Sequence, residues 1–324
     1  MPLRGGRGTL AACEPRGGRL GRILVTGSHG LVGRELVAAL EAQGHEVVPF
    51  DRRHDGSDLR DVESVARALQ GCEGVFHLAA VSRVAWGEED SALCHAINVD
   101  GTAVLLRAAL DRSEAPWVVF ASSREVYGNP PEVPVREDMP RAPVNAYGRS
   151  KRDGELLFEE AMAKGLRAAL VRLSNVYGTE HDHPSRAVPS LLWRAMQDED
   201  LLLTGSDVFF DFVHVEDCVK GLLRAAQALR EGRSLPPLHL VTGVPTSLLE
   251  LAQAAVRVTG SGSRIVVQPA RSFDVEGFCG NPAQAEAVLG FRPRIGLEEG
   301  LGRLRDRLAA RGRGPDAFSL SELT

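Results

Sequence analysis

Two side chains in this sequence, Tyr147 and Lys151, have the types and the spacing that proton-transfer chemistry requires. They stand four residues apart in a helical pattern, so both lie on the same face of the helix. A phenol is a poor base because its ordinary pKa is about 10, and a neighbouring ammonium group lowers that pKa by favouring the phenolate. Ser122 and Ser123 follow the apolar run at residues 117–121, where a hydroxyl donor can orient an alcohol. This set predicts an activated tyrosine that takes the proton of a hydroxyl group.

A glycine-rich segment at residues 22–33 supplies a second chemical signal, with the sequence RILVTGSHGLVG. An apolar run leads into Gly27, Gly30 and Gly33, and an amphipathic pattern begins directly afterwards. This order predicts a buried strand, a tight turn and a helix start, whose backbone N–H groups can bind a pyrophosphate. A glycine triplet alone also fits an ordinary strand–helix turn, so its meaning depends on the residues around it.

Asp51 follows the next predicted strand, 24 residues after Gly27. A carboxylate at this position can accept hydrogen bonds from both hydroxyls of an adenosine ribose and would repel a 2′-phosphate. The residue therefore favours NAD over NADP as the cofactor. Two other interpretations stay open: Arg52 and Arg53 could pair with a 2′-phosphate, and Asp51 could simply end its strand.

The segments after Asp51 contain further residues that suit a flat, nitrogen-containing ligand. Asp58 and Leu59 could border an adenine ring, with Asp58 accepting from the amino group, while Asp61 is placed to cap the next helix. Small residues at 78–80 end the third strand and would let a cofactor lie against the backbone. His77 is interpreted as a packed residue at the strand end rather than as a base.

Apolar runs and helical patterns alternate through the first half of the chain. The predicted strands cover residues 22–26, 46–50, 74–78, 117–121 and 168–173, and the predicted helices cover residues 31–43, 62–70, 89–113 and 146–164. Such alternation predicts an α/β fold with a Rossmann-type, doubly wound parallel sheet covered on both faces. Such a sheet presents its ligand site at the carboxyl ends of the strands, where the motifs above fall.

The second half of the chain has a looser pattern and predicts a smaller mixed α/β domain. We expect a cofactor domain at residues 22–173, with residues 212–243 returning to it, and a substrate domain at residues 174–211 and 244–311. Residues 1–21 combine arginines with glycines and predict a disordered tail, and residues 312–324 predict a second tail.

Composition limits the class of protein. The chain has 324 residues, 44% hydrophobic content and a net charge of −5, which favours neither nucleic acid nor an anionic membrane as a partner. Its five cysteines lie far apart and form no metal-binding pair, which favours a reduced, cytoplasmic location. The run His181–Asp182–His183 does not by itself predict a metal site, because zinc needs three or four converging ligands.

Taken together, these motifs resemble those of the extended short-chain dehydrogenase/reductase family, and the resemblance extends over residues 22–310. The matching segments are TGSHGLVG at 26–33, DLRD at 58–61, FHLAA at 76–80, NVDGT at 98–102, SSREVYG at 122–128 and YGRSK at 147–151. The resemblance implies a catalytic triad of Ser123, Tyr147 and Lys151. It also implies cofactor contacts from Gly27, Gly30, Leu31, Val32, Gly33, Asp51, Asp58, Leu59, Leu78, Ala79, Ala80, Asn98, Tyr147 and Lys151.

The second half is similar to the nucleotide-sugar branch of that family. The matching segments are RLSNVYG at 172–178, DFVHVED at 211–217 and GFRP at 290–293. The resemblance implies substrate contacts from Ser82, Ser123, Asn175, Arg186 and Arg271. The chain departs from the branch at Phe210, where an arginine that neutralises diphosphate is expected, and at Asn281, where aspartate is frequent.

Arg124 and Glu125 form a third departure, because simple 4-epimerases tend to have small uncharged residues there. Glu125 resembles the acid or base of the dehydratases and decarboxylases in the branch, but the usual aspartate partner is replaced by Arg124. An ion pair of Glu125 with Arg124, Arg149 or Arg152 is an equally weighted interpretation. Glu125 is therefore a fourth candidate catalytic residue.

The resemblance implies an NAD-dependent nucleotide-sugar epimerase that inverts a hydroxyl, C4 in the first instance, through a keto intermediate and regenerates its own NAD. One alternative is a dehydratase or decarboxylase that uses Glu125, and another is a non-catalytic dinucleotide sensor. The helical patterns at residues 89–113 and 146–164 form a two-fold contact in many relatives, so a homodimer is expected.

Overall fold

The computed structural model describes residues 21–206, 208–268, 277–315, 317 and 320–323. The predicted tail at residues 1–21, apart from Gly21, lies outside these residues, as do Arg271 and part of the predicted tail at residues 312–324. The strands are β1 (Arg22–Thr26), β2 (Glu46–Phe50), β3 (Gly74–His77), β4 (Trp117–Ser123), β5 (Ala168–Leu173), β6 (Asn175–Tyr177), β7 (Leu201–Thr204), β8 (Phe209–His214), β9 (Leu238–Leu240), β10 (Pro245–Ser247) and β11 (Ile265–Gln268).

The helices cover both faces of the main sheet and the substrate side of the molecule. They are α1 (Leu31–Ala42), α2 (Arg52–Asp55), α3 (Val62–Ala68), α4 (Val84–Glu89), α5 (Ser91–His95), α6 (Gly101–Leu110), α7 (Ala146–Ala163), α8 (Ala187–Met196), α9 (Val215–Arg230), α10 (Leu248–Thr259), α11 (Ala283–Leu289) and α12 (Leu297–Arg311). A π-helical turn at Ala96–Asp100 joins α5 to α6, and single 3₁₀ turns occupy Arg124–Tyr127 and Leu320–Leu323.

The main sheet has six parallel strands in the order β2-β1-β3-β4-β5-β9. Its strands are short and apolar, and β4 is buried along its whole length because helices cover both faces. One core cluster packs α1 and α9 against the sheet, and a second packs α3, α6 and α7 against the other face. The order reverses between β1 and β3, which opens a crevice at the carboxyl ends of these strands. The predicted α/β Rossmann-type architecture is confirmed.

The substrate side of the molecule is built on two smaller sheets. One has the order β10-β8-β6, with β8 antiparallel to β10 and parallel to β6, and the other pairs β7 with β11. Helices α8, α10 and α12 close a third apolar cluster over them. Strand β9 comes after most of these elements in the chain, yet it pairs with β5 and completes the main sheet.

Several predicted elements have slightly different bounds in the structure, and two of these differences have a clear physical reason. Strand β4 extends through Ser122 and Ser123, because both residues continue the pairing with β5, so these serines lie within the strand rather than after it. The helix predicted at residues 89–113 begins at Ser91 and ends at Leu110. Its start is set by Asp90, whose extended backbone ends α4 and whose carboxylate accepts the Leu93 N–H at 2.8 Å.

The continuous helical stretch Ser91–Leu110 is the one segment of the described residues that is long and apolar enough to cross a membrane. Its apolar residues Leu105, Leu106 and Ala109 pack in the core cluster beside the sheet. The apolar character of this helix is therefore explained by burial inside the fold.

Candidate active site

The glycine turn after β1 has the geometry of a phosphate-binding loop. Gly27 has a φ of +71°, a left-handed conformation that favours glycine, and its N–H donates to the Phe50 carbonyl at 2.8 Å. A Cβ atom on Gly33 would lie 2.0 Å from the Gly27 carbonyl oxygen, so only glycine allows α1 to begin this close to the strand. Gly30 caps α1 without a side chain, which leaves the backbone amides of the helix start directed at the crevice.

A cavity of about 440 Å³ extends from this turn along the carboxyl ends of the strands. The described residues of the predicted set line it together, and these are Gly27, Gly30, Leu31, Val32, Gly33, Asp51, Asp58, Leu59, Leu78, Ala79, Ala80, Ser82, Ser123, Glu125, Tyr147, Lys151, Asn175 and Arg186. Asn98 is the exception. Its amide group donates to the Val81 carbonyl at 3.1 Å and accepts the Val81 N–H at 2.7 Å, so it holds the backbone behind the cavity wall. We name the part formed by residues 27–33, Asp51 and residues 78–80 the cofactor floor.

Asp51 lies at the end of the cofactor floor that faces away from Tyr147. Its carboxylate accepts the His29 N–H at 2.9 Å and the Arg53 N–H at 3.1 Å, so it also caps α2. Asp58 pairs with Arg52 at 2.5 Å and with Arg60 at 2.7 Å, and the hydrogen bond from Arg60 lowers the pKa of this carboxyl. The Arg52 guanidinium is thus bound to a carboxylate, which weakens its suitability as the partner of a 2′-phosphate.

Tyr147 and Lys151 extend from the first turns of α7 into the cavity. The helix begins at Asn145, whose side-chain oxygen accepts the Gly148 N–H at 2.7 Å. Burial raises the pKa of Tyr147 to about 12, and the hydrogen bond with Ser123 acts in the opposite direction. Lys151 donates from Nζ to the Ala121 carbonyl at 2.8 Å, and burial lowers its pKa to about 8. Without further positive charge nearby, the phenol is therefore neutral at physiological pH.

A buried polar network lies beneath this catalytic group, and sequence reasoning missed it. Glu155 is fully buried and takes a bidentate ion pair from Arg172, with N–O distances of 2.9 Å and 2.7 Å. The Ser122 hydroxyl donates to the same carboxylate at 2.5 Å. Arg172 also donates from Nη1 to the Tyr127 hydroxyl. The available signal was the spacing, because Glu155 stands one further helical turn after Lys151.

At the end of the cavity beyond Tyr147, Arg124, Glu125 and Asn175 line a wall, and Phe210 packs behind Arg124. We name these four residues the sugar wall. Arg124 pairs with Glu125 at 2.8 Å and donates from Nε to the Asn175 side-chain oxygen at 3.2 Å. Its guanidinium carbon lies 4.5 Å from the centre of the Phe210 ring. The sequence left three partners open for Glu125, and the structure pairs it with Arg124.

A second ionic group borders this end of the cavity from the segment before α8. The Asp182 carboxylate accepts the His183 N–H at 2.8 Å and a hydrogen bond from Arg186 at 3.2 Å. Burial raises the pKa of Asp182, and the positive charge of Arg186 lowers the pKa of Tyr147. Within the described part of the chain, no group of three His, Cys, Asp or Glu side chains is arranged to hold a metal ion.

Comparison with known proteins assigns this arrangement to a family. The sequence model described as "NAD dependent epimerase/dehydratase family" matches residues 23–238. The chain belongs to the NAD-dependent epimerase/dehydratase family. The predictions of an extended short-chain dehydrogenase/reductase, of an enzyme and of NAD as the cofactor are therefore confirmed.

Three members of the epimerase/dehydratase family illustrate the similarity. A UDP-glucose 4-epimerase of Mycolicibacterium smegmatis is 31% identical over 306 residues, which cover 87% of this chain and 96% of the relative. The structure of a UDP-glucose 4-epimerase from Thermotoga maritima with UDP-glucose has a TM-score of 0.83 at 26% identity, covering 90% of this chain and 100% of that one. The dTDP-glucose 4,6-dehydratase DesIV from Streptomyces venezuelae, with NAD bound, has a TM-score of 0.81 at 26% identity, covering 90% and 98%.

The cofactor floor of this family member fits NAD by its own geometry. The start of α1 is directed at the crevice, and Asp51 lines the cavity after β2, where a carboxylate can accept from an adenosine ribose. Lys151 and Tyr147 lie at the other end of the floor, on the side of the sugar wall. The residues present would therefore hold the adenosine ribose at Asp51, the pyrophosphate at the glycine turn and the reactive ring beside Tyr147 and Lys151.

Proposed function

We propose that this chain is an NAD-dependent nucleotide-sugar epimerase that inverts a hydroxyl-bearing carbon, C4 in the first instance, through a keto sugar. The observation that carries the proposal is that Ser123, Tyr147 and Lys151 line one cavity at the junction of the cofactor floor and the sugar wall, with Lys151 one helical turn after Tyr147. Its similarity to UDP-glucose 4-epimerases over most of their length supports the same reaction class.

Ser123, Tyr147 and Lys151 have separate roles in this reaction. When bound, NAD would supply a two-electron acceptor for the hydride of the sugar carbon. Ser123 orients the hydroxyl group, and Tyr147 takes its proton and later gives it back. The phenol needs this environment because burial raises the pKa of Tyr147 to about 12, and only added positive charge brings it into a useful range. Lys151 supplies part of that charge and would hold the nicotinamide ribose of bound NAD.

The substrate contacts are proposed from the same cavity. Ser82, Ser123, Asn175 and Arg186 line the end beyond Tyr147 and can hold the sugar and the diphosphate. Arg186 takes on importance because the arginine expected before Asp211 is Phe210 in this chain. We further propose that residues 22–173 with 212–243 form the cofactor domain and that residues 174–211 with 244–311 form the substrate domain.

A dehydratase is the second candidate function, because Glu125 lines the cavity beside Tyr147 and the chain is also similar to a dTDP-glucose 4,6-dehydratase. The two candidates give different products from one experiment. The NAD-loaded protein is incubated with UDP-glucose, and the products are read by proton NMR and mass spectrometry. Formation of UDP-galactose at unchanged mass supports the epimerase. Loss of water supports the dehydratase, and an unchanged sugar contradicts both for this substrate.

We also propose that the protein forms a cytoplasmic homodimer through α6 and α7. Leu156 on α7 is 43% exposed, which suits a helix face that meets a second copy. The cysteines in the described part of the chain are unbonded and buried, in keeping with a reducing compartment. Sedimentation at micromolar concentration tests the dimer: a dimer that Leu156→Glu converts to a monomer supports it, and a monomeric wild type contradicts it.

A further inference from the structure

Glu125 is a carboxylate that the proposed inversion does not need. It lies on the cavity wall, 5% exposed, and its negative charge raises the pKa of the neighbouring Tyr147. When a hydroxyl carbon is oxidised to a ketone, the C–H bonds on the adjacent carbons become acidic. A carboxylate that lines the same cavity as the phenol can act as a base for such a proton. The sugar wall therefore contains a base for a side reaction at the adjacent carbon. The structure also contains hydrogen-bond donors that restrain this base.

Both oxygens of Glu125 are engaged by fixed donors. Oε1 pairs with Nη2 of Arg124 at 2.8 Å, and Oε2 accepts from the Asn145 amide at 2.7 Å. Asn145 cannot turn away without loss of its cap on α7, because its side-chain oxygen accepts the Gly148 N–H. The side chains of Arg124 and Glu125 are only 11% and 7% exposed, so water does not compete strongly for these bonds.

Arg124 is itself held from the substrate side of the fold. Its Nε donates to Asn175 at the start of β6, and its guanidinium stacks at 4.5 Å on the Phe210 ring of β8. A second ring, that of Phe278, lies 5.9 Å away. An arginine at position 210 would place a like charge against this guanidinium instead of a ring. The presence of Arg124 and the loss of arginine at position 210 thus form one consistent arrangement.

We infer that Arg124 is a specificity-determining residue, which keeps Glu125 from removing the proton next to the keto carbon and so confines the enzyme to inversion. This inference rests on the proposed epimerase function. In the wild type the bonds that break and form are the O–H and C–H bonds of one carbon. Without Arg124, Glu125 takes a proton from an adjacent carbon, the electron pair moves onto the keto oxygen as an enolate, and the carboxyl group returns a proton of solvent origin to that carbon. No oxidant is consumed and no group is lost.

The test is the uptake of solvent deuterium by the sugar. Wild type and Arg124→Met, each loaded with NAD, turn over UDP-glucose in D₂O, and deuterium at the carbons flanking C4 is read by NMR. Methionine keeps the unbranched apolar stem of the side chain but has neither the guanidinium that stacks on Phe210 nor a donor for Glu125. We expect no detectable deuterium in the sugar from wild type, and uptake about a hundredfold above the detection limit for Arg124→Met. The double variant Arg124→Met/Glu125→Gln should return to the wild-type level.

Two controls separate this role from a merely structural one. Arg124→Lys keeps a positive charge beside Glu125 and should resemble wild type. Phe210→Leu removes only the stacked ring and should give a smaller uptake in the same direction, which keeps the test available if Arg124→Met does not fold. Deuterium uptake by the wild type, or none in the Arg124 and Phe210 variants while they still form UDP-galactose, overturns the inference. Absence of UDP-galactose from the wild type overturns the proposed function instead.

Discussion

The cofactor floor and the sugar wall are built in different ways, although they line one cavity. The floor consists of backbone amides, glycines and small side chains that come at fixed distances after β1, β2 and β3. The sugar wall consists of long side chains from the turn after β4 and from two strands of a smaller sheet, held by mutual hydrogen bonds. The floor therefore tolerates almost no added atoms, whereas the wall can change its side chains and keep its backbone. We therefore expect NAD binding to depend on the first region and the reaction outcome to be open to change in the second.

The phenol of Tyr147, at the junction of the two regions, gives the largest expected effect. Tyr147→Phe removes the group that takes the hydroxyl proton, so we expect turnover of UDP-glucose to fall by about 10²–10⁴-fold. The cofactor floor is unchanged, so NAD released on denaturation should match the wild type. Tyr177→Phe is a matched control, since this buried tyrosine packs against α12 away from the cavity. Equal turnover by Tyr147→Phe and wild type would contradict the proposed role of this phenol at the junction of floor and wall.

A methyl group on the floor should have the next largest effect. In Gly33→Ala the new Cβ would meet the Gly27 carbonyl at 2.0 Å, so the turn or α1 must shift. We expect NAD affinity to fall by about a hundredfold, measured by isothermal titration. Gly302→Ala, a helical position where a Cβ meets nothing within 4 Å, should instead stabilise the protein by about 0.5–1 kcal/mol. Unchanged NAD affinity in Gly33→Ala would show that the floor is as adaptable as the wall.

The pH dependence of stability at Lys151 tests how completely water is excluded from the junction of floor and wall. Burial lowers its pKa to about 8, so between that value and the ordinary lysine pKa the unfolded chain binds more protons and stability rises with pH. In cofactor-free protein at neutral pH, Lys151→Met removes a buried ammonium group, and we expect the free energy of unfolding to rise by about 1–3 kcal/mol. The gain should vanish above the ordinary lysine pKa. Urea denaturation at several pH values measures it, with the exposed Lys164→Met as the control.

A change on the sugar wall should have the smallest effect on binding. Phe210→Leu removes the ring stacked on the Arg124 guanidinium, an interaction of about 0.5–1 kcal/mol. We expect the KM for UDP-glucose to rise by a few-fold while the affinity for NAD stays unchanged. Steady-state kinetics and NAD titration on the same preparation measure both quantities. A loss of NAD affinity in this variant would mean that wall and floor are not separable.

The contrast between the two regions also explains what the sequence could predict. Strands β1, β2 and β5 have the predicted bounds, and the predicted floor residues line one cavity, because local spacing and strand ends determine their positions. The sugar wall depends on contacts between Arg124 and residues from β6 and β8, which no local pattern encodes. Sequence spacing therefore left the partner of Glu125 open. The ion pair of Glu155 with Arg172 was missed for the same reason, since its two members lie on different elements.

The late position of β9 in the chain has a practical consequence for anyone who divides this protein. A fragment that stops at residue 173 would leave the N–H and C=O groups of β5 facing solvent along a row of apolar residues, because the strand that pairs with them is missing. Such an open edge invites pairing between separate molecules, so the isolated fragment should precipitate. A soluble nucleotide-binding fragment has to carry α9 and β9 with it, joined through a short linker in place of the intervening segment.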